Sequence, residues 1–380
     1  MEILIFGGSF DPPHRGHLAL LKVALKTLKP ERAYVVPAFH SPLKPLSATP
    51  GKERLALVKA ALQDGLGKKE LDRVRAHSFE LARGRKTFAF ETVRFFSRLH
   101  PGARVHSLIG SDSLESFPRW KRAAELCRTC RFLVGRRPGV DPVEGCHLPP
   151  VSLLPGSFPD ISSTELRARL LAAEDARDHV CGAVLRVIGA RGLYGGRIRA
   201  ELSGMLKPER YRHTLCVAQR ARRLARRHGL DEEKAALAGL LHDCGKSLSS
   251  ERKIALLRRA RASVPAFPET ARRSPGLLHA HASAALAERR FGVSDPEVLS
   301  AIRKHTLGDL DMSPLDLLLY VADASSSDRD FPEVDSIRRA AKKGLEAGFH
   351  EALRVKLAYV LKEGGWMHPL GPRLWNQGIR

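Results

Sequence analysis

The sequence predicts a doubly wound parallel α/β unit followed by an all-α helical bundle. Across residues 1–195, short apolar strands alternate with amphipathic helical patterns, the βαβ rhythm of a parallel sheet covered by helices on both faces. After about Gly195 strand signals nearly vanish, and long Ala/Leu/Arg helical patterns take over. The chain has 380 residues, which is long for one domain and comfortable for two. The expected partition is 1–195, a linker at 196–206 that follows the breaker Leu193-Tyr-Gly-Gly196, and 207–380.

In order, Ile3–Phe6 reads as a strand, Leu18–Leu28 as a helix and Ala33–Val36 as a strand. Arg54–Leu62 and Thr92–Leu99 read as helices, and Val105–Ile109 and Arg131–Val134 as further strands. Helical patterns in the second half cover His213–His228, Asp231–Leu241, Ala280–Arg290 and Leu315–Ala322.

Composition bounds the partners. No apolar run approaches the roughly 20 residues that cross a bilayer, and no signal-like segment opens the chain, so a cytoplasmic protein without a membrane partner is expected. Six cysteines are too sparse for a disulfide framework. Cys127-Arg-Thr-Cys130 with Cys146-His147 downstream has zinc-like spacing, but no second CxxC pair completes it, which favours ordinary thiols. Lys and Arg number 64 against 41 Asp and Glu, a formal charge of +23 that favours anionic ligands. Much of it is arginine dispersed on helices such as Arg220–Arg227, which also reads as a solvated basic face.

The stretch Gly7-Gly-Ser-Phe-Asp-Pro-Pro-His-Arg-Gly-His17 joins the first strand to the first helix. Sites in parallel sheets open at the carboxyl ends of strands. A glycine-rich turn entering a helix N-terminus makes an anion cradle there, because backbone N–H groups are free and the helix dipole favours negative charge. No Gly-Lys-Ser/Thr follows, so this is not a Walker loop. Instead His14 and His17, three residues apart, can point from one helix face at one phosphate and donate hydrogen bonds as it gains charge during in-line displacement. Downstream, Ser162-x-x-Glu165 is a capping box, and Ser162, Ser163, Thr164 and Arg167 offer hydroxyls, N–H groups and a guanidinium fork at the start of a helix. Together the two segments read as a pair of phosphate clamps.

The second half carries His213, His242-Asp243, His279, His305 and Asp323, each near a helix end or on one helix face. Neutral imidazoles and carboxylates suit divalent transition metals. A central Asp can bridge two of them, and such a pair activates water and clamps a phosphoryl oxygen.

These strings carry resemblances. The first half, about Met1–Gly195, resembles the HxGH nucleotidyltransferases, Rossmann-like enzymes, and among them the bacterial nicotinate-mononucleotide adenylyltransferases. The matching strings are "GSFDPPHRGH", "PLKP" around Lys44, "ERLALV" around Arg54, "IGSDSL" around Asp112, "RW" at Trp120, "RRPG" around Arg137, "ISSTELR" and "VLRVIGARGLY". The resemblance implies that His14 and His17 act on the ATP α-phosphate, and that Ser162, Ser163, Thr164 and Arg167 hold the β,γ-phosphates with magnesium. It further implies that Asp112 contacts ribose and that Trp120 stacks on the pyridine ring. Gly7, Gly8, Ser9, Phe10, Lys44, Gly110 and Arg137 complete the expected nucleotide site. Where that family has Ser/Thr-Tyr-Thr, this chain reads Thr87-Phe88-Ala89, which leaves the choice between nicotinate and nicotinamide open.

The second half, about Lys207–Trp366, resembles the HD-domain phosphohydrolases and, among them, the bacterial subfamily that cleaves diadenosine tetraphosphate symmetrically to two ADP. The strings are "RYRHTLCVA", "LAGLLHDCGK", "LLHAHASA" and "AIRKHTLGDLDMSPLDLLLYVAD". The resemblance implies that His213, His242, Asp243, His279, His305 and Asp323 ligate a di-iron-type centre, and that Lys246 and Arg329 neutralise the polyphosphate. Asp243 and Lys246 would be its catalytic pair. His281 stands where the family has Pro and reads as incidental.

The expectation is therefore a fused enzyme of NAD biosynthesis and nucleotide hydrolysis. Its partners would be ATP, nicotinate mononucleotide and diadenosine tetraphosphate, with a homo-oligomer compatible with the sequence and nucleic acid not expected. Two other readings stay open at this level: a nucleotide-sensing helical module or one acting on another nucleotide polyphosphate, and RNA binding by the arginine-rich helices.

Overall fold

The computed structural model describes residues 1–42, 49–136 and 151–378. Contacts divide the chain into two compact units. The first comprises Met1–Arg167 and Ala176–Leu193, and the second Ala168–Asp175 and Tyr194–Arg380.

In the first unit a six-stranded parallel sheet has the order β3-β2-β1-β4-β5-β6 among the described residues. The strands are β1 (Glu2–Gly8), β2 (Arg32–Pro37), β3 (Val74–Ala76), β4 (Arg104–Gly110), β5 (Arg131–Gly135) and β6 (Val151–Leu153). β1 is central and apolar on both faces because both faces are covered. Leu4 and Phe6 pack with Leu21 and Leu25 in one layer, while Ile3 and Ile5 pack with Phe90, Phe96 and Phe132 in the other. The strand order reverses between β1 and β4, which pair with Phe6 opposite Leu108. Such a reversal opens a crevice at the carboxyl ends of the strands, and Gly7–His17 and Gly110–Asp112 begin at those two ends. The first helix, Arg15–Leu28, starts three residues before the apolar pattern suggests, because His14 stands in extended conformation at its N-cap. β3 and β6, absent from the sequence reading, are three-residue edge strands, too short to show alternation.

The second unit is all helical among its described residues, as expected. Residues 196–206, read from sequence as a linker, are mostly the helix Gly196–Met205, with Leu202 buried in the helical core. Residues 168–175 also belong here: Ala172 is part of that core, and Glu174 pairs with the buried Arg222 at 2.6 Å. Helix Pro208–His228 begins with Pro in its first turn, ends at Gly229 in left-handed conformation, and carries Arg226, Arg227 and His228 against its negative end. Asp231 caps the next helix, Glu232–Leu241, by accepting from the N–H groups of Glu233 and Lys234 at 2.8 and 3.0 Å. The sequence patterns missed helices Ser250–Ala260, Pro296–Lys304, Val334–Lys343 and Leu345–Lys362.

Helices Pro208–His228 and Glu232–Leu241 approach so closely that a Cβ built on Gly239 would stand 2.7 Å from the Ala218 Cα. Backbone cannot yield there as a flexible side chain would. Gly239→Ala is therefore expected to destabilise the helical domain by about 3 kcal/mol, the upper part of the overpacking range. Denaturant unfolding followed by circular dichroism checks this, and an unchanged midpoint would contradict it.

Candidate active sites

In the first unit the HxGH segment is built by its own turn. Phe10 adopts a left-handed backbone (φ 49), a conformation that costs a non-glycine residue about 1 kcal/mol. Its ring is buried, edge-on to Phe6 at 5.2 Å and 5.0 Å from the His17 ring. The side chain of Phe10 thus supports His17 from the core, where sequence reasoning had placed it among nucleotide contacts. The His14 and His17 rings lie 3.7 Å apart at 34°. The His14 backbone N–H donates to His17 Nδ1 at 3.2 Å. A neutral His17 therefore carries its proton on Nε2, the tautomer of a hydrogen-bond donor. Beyond Gly7, a built Cβ meets nothing within 4 Å, so space opens at the end of β1.

The second clamp segment docks on the same turn. Ser163 Oγ donates to the Pro12 carbonyl at 3.0 Å, and Arg167 Nη1 donates to the Asp11 carbonyl at 2.9 Å. Arg167 Nη2 also donates to Thr164 Oγ1 at 3.2 Å, and Ser162 accepts the Leu166 N–H through its carbonyl. Gly16 makes this approach possible: a Cβ there would stand 3.1 Å from His14 Nδ1 and 3.2 Å from the Pro159 carbonyl. Arg54 was not expected to serve the site. It is buried and donates to the carbonyls of Ser9, Ala38, Phe39 and Thr49 at 2.9, 2.5, 3.2 and 3.1 Å. One guanidinium thereby ties the loop after β1 to the loop after β2. A charged residue inside the apolar pattern "ERLALV" was the available signal.

Gly110 ends β4 and Asp112 is exposed on the helix that follows it. Trp120 is half-buried against Phe117 and Phe132, with its indole N–H donated to Ser116 Oγ at 3.2 Å. Phe88 stacks near Phe90 at 6.2 Å, with the Lys121 ammonium 4.8 Å from its ring centre. Lys44, Arg137, Cys146 and His147 lie outside the described residues. Burial pushes the Cys130 thiol up to about 12, which makes it a poor metal ligand.

In the second unit four histidines and two aspartates converge. His213, His242 and Asp243 form one buried group whose ligand atoms all lie within 4.8 Å of one another. Asp243, His279 and His305 form another on the same criterion, so Asp243 is common to both. Asp323 Oδ1 lies 3.1 Å from His213 Nε2. The Nδ1 atoms of His242, His279 and His305 stand 2.8, 2.7 and 2.7 Å from the carbonyls of Gly239, Gly276 and Ile302. A carbonyl can only accept, so each Nδ1 carries the proton and each Nε2 presents a lone pair. His213 Nδ1 is held likewise by Asp328 Oδ2 at 2.8 Å. Lone pairs then face one another: His279 and His305 Nε2 are 3.2 Å apart, and His242 Nε2 is buried without a hydrogen-bond partner among the described residues. Facing lone pairs repel unless a cation stands among them, so these residues fit divalent metals.

The family comparisons agree with both halves. The description "Cytidylyltransferase-like" matches residues 5–169, and "HD domain" matches residues 210–328. A Mycoplasma pneumoniae protein named as a probable nicotinate-nucleotide adenylyltransferase/Ap4A hydrolase is 30% identical over 367 residues, 92% of this chain and 98% of that protein. A Mycoplasma genitalium protein of the same name is 28% identical over 94% of this chain and 97% of its own length. The chain belongs to this family of fused enzymes. A solved HD superfamily hydrolase of Clostridium acetobutylicum, described as involved in NAD metabolism, is 34% identical over 48% of this chain and 95% of that one, with a TM-score of 0.46. No described helix is long and apolar enough to cross a membrane.

Around the metal-type cluster of this fused enzyme, electrostatics favour ligand-competent protonation states. Burial pushes His242 down to about 4 and lowers His279 and His305 as well, keeping imidazoles neutral. Burial works against ionising Asp243, but the surrounding cluster holds its carboxylate well below the usual range. Lys246 Nζ lies 3.1 Å from His279 Nε2, and Arg210 pairs with Asp243 at 2.9 Å. The guanidinium of Arg329, expected on the polyphosphate, donates to both the main-chain carbonyl and the carboxylate of Asp323. Asp328, Thr306 and Lys356 were missed from sequence. Thr306 Oγ1 stands 3.0 and 2.9 Å from His279 and His305 Nε2. Lys356, pushed down to about 8 by burial, lies over the Tyr320 ring at 3.7 Å. His281 belongs to neither ligand group.

One buried carboxyl in the first unit makes stability depend on pH. Glu80 accepts from Thr92 Oγ1 at 2.7 Å, and burial pushes its pKa up to about 7. As pH rises from about 4.5 to 7, the unfolded chain loses this proton while the folded protein keeps it, so stability falls across that window and is flat above it. The loss is on the order of 3 kcal/mol. Glu80→Gln removes it, so the variant's stability relative to wild type should rise between those pH values. A pH-independent difference in unfolding midpoint would contradict this.

Proposed function

We propose that the chain transfers an adenylyl group from ATP to nicotinate mononucleotide, giving nicotinate adenine dinucleotide and pyrophosphate, and separately hydrolyses diadenosine tetraphosphate to two ADP. The observation that carries this reading is that one chain holds two separate clusters: the close His14–His17 pair with its docked Ser163–Arg167 segment, and the two ligand groups that share Asp243.

In the first domain the mononucleotide phosphate attacks the ATP α-phosphorus in line, and pyrophosphate leaves. His14 and His17 donate to the α-phosphoryl oxygens as charge builds there, helped by the positive end of helix Arg15–Leu28. Ser162, Ser163, Thr164 and Arg167 hold the departing β,γ-phosphates and their magnesium, with Lys44 and Arg137 adding charge. Gly7, Gly8, Ser9 and Gly110 line the nucleotide, Asp112 takes a ribose hydroxyl and Trp120 the pyridine ring. The tie from Arg167 to the Asp11 carbonyl holds the two clamps in one frame, which is the orientation in-line displacement requires.

In the second domain His213, His242, Asp243, His279, His305 and Asp323 would hold two divalent metals, which we take to be iron. When bound, these supply Lewis acidity for attack of water on phosphorus. Asp328 fixes the His213 tautomer, the three carbonyls fix the others, and Arg329 orients Asp323. Lys246 and Arg210 place positive charge beside Asp243, where a polyphosphate would be neutralised.

Single substitutions should separate the activities. His17→Ala is expected to lower adenylyl transfer by about 10²–10³-fold, the usual cost of one donor to a developing oxyanion, and to spare hydrolysis. Asp243→Ala should abolish hydrolysis and lower bound metal, measured by elemental analysis, while adenylyl transfer persists. Retention of full adenylyl transfer by His17→Ala would overturn the first assignment, and full metal content in Asp243→Ala the second.

A further inference from the structure

The helical domain holds a cavity that neither activity uses. It measures about 250 Å³ and is lined by Cys216, Arg220, Arg223, Ser325, Ser327 and Arg338. Its walls come from helix Pro208–His228, the end of helix Pro314–Ser325 and helix Val334–Lys343. A water takes roughly 30 Å³, so a phosphate or diphosphate group fits with a few waters beside it.

Three arginines line this space, and only two of them have a carboxylate partner. Arg220 Nε donates to the buried Ser325 Oγ at 3.0 Å, and among the described residues Arg220 has no carboxylate partner. Burial lowers its pKa first, and its nearby charges, Arg338, Arg223 and Arg227, lower it further. Arg223 reaches Glu174 at 3.3 Å, but Glu174 is already bound by Arg222 at 2.6 Å. Arg338 pairs with Asp335 at 3.0 Å and otherwise spends its donors on the carbonyls of Ser325, Ser326 and Arg329. Crowding like charges around a partly enclosed space is unfavourable unless an anion occupies it. Guanidinium forks flanked by serine hydroxyls match the geometry of a phosphoryl group. We propose that this cavity is a second anion site of the helical domain, separate from the Asp243 cluster, and that it takes a phosphate or diphosphate group.

Cys216 supplies a reporter inside the cavity wall. The full-length, metal-loaded protein is alkylated with iodoacetamide at constant ionic strength, and the Cys216 and Cys127 peptides are followed by mass spectrometry. Inorganic phosphate or pyrophosphate at twice its dissociation constant should slow Cys216 alkylation about threefold and leave Cys127 unchanged. Arg220→Met, alone and with Arg223→Met, should remove the protection while Cys216 stays reactive. Asp243→Ala should keep it. An ADP arm separates sources: protection by ADP without protection by inorganic phosphate or pyrophosphate supports the site with a nucleotide as its occupant. The proposal fails if no anion slows Cys216, if Cys127 slows equally, if protection survives in the double variant, or if it vanishes in Asp243→Ala. None of these readouts needs either enzymatic activity.

Discussion

The metal-type cluster depends on one repeated interaction, the hydrogen bond from a histidine Nδ1 to a main-chain carbonyl three residues earlier. A helix ends with carbonyls that have no partner inside it. His242 follows helix Glu232–Leu241 and His305 follows helix Pro296–Lys304, so each ring can satisfy one of those carbonyls by folding back. His279 does the same to Gly276 after a short 3-10 turn. The bond costs nothing extra, because the carbonyl needed a donor, and it settles both ring orientation and tautomer. Three Nε2 lone pairs are thereby committed to the two ligand groups that share Asp243 before any ion binds. The burial that lowers these histidines' proton affinity then keeps them in the ligand form.

The first domain uses the opposite end of a helix. His14 occupies the N-cap of helix Arg15–Leu28, where partial positive charge accumulates, and His17 follows one turn later. Here His17 Nδ1 accepts a main-chain N–H, so the proton resides on Nε2. One residue type thus stands in opposite forms, with the proton on Nε2 of His17 and on Nδ1 of His242, His279 and His305. The difference lies in whether the neighbouring main-chain group is an N–H or a carbonyl. Helix polarity decides that.

Much of this could be read from the sequence because the relevant signals are local. The strand–turn–helix joint at Gly7–His17 and the adjacent His242-Asp243 pair are contiguous strings, and the central strands are long enough to show their apolar character. What escaped reading depends on distant packing. Asp328 and Thr306 matter through their distance to His213, His279 and His305, and an Asp or Thr in a loop carries no mark of that. Arg54 stands in the helix that follows the loop after β2, and its tie to Ser9 in the loop after β1 is a contact between distant positions. Residues 168–175 join the helical domain through Ala172 and Glu174, whose partners Arg222 and Arg223 lie some fifty positions later. Phe10 is the reverse case, since its place in a nucleotide-contacting string concealed a buried ring held by a strained backbone.

The excess of arginine also takes on a different meaning in three dimensions. A charge of +23 suggests a polyanion-binding surface, yet many arginines are occupied within the protein. Arg54 spends its donors on four carbonyls, Arg199 on those of Leu170, Leu171 and Tyr194, and Arg222 bridges Glu174 and Glu232. Arginine suits this work because its planar fork satisfies several acceptors while staying charged under burial. Net charge therefore overstates the positive surface offered to nucleic acid. The informative arginines are those left without acids, and Arg220 is one of them. It stands seven residues beyond His213 on the same helix, hydrogen-bonded to the segment after Asp323, so unbalanced positive charge lies close to the metal-type cluster without entering it. A fold that ties many of its arginines to its own carboxylates and carbonyls has left this charge where a small phosphorylated ligand can supply the counter-charge.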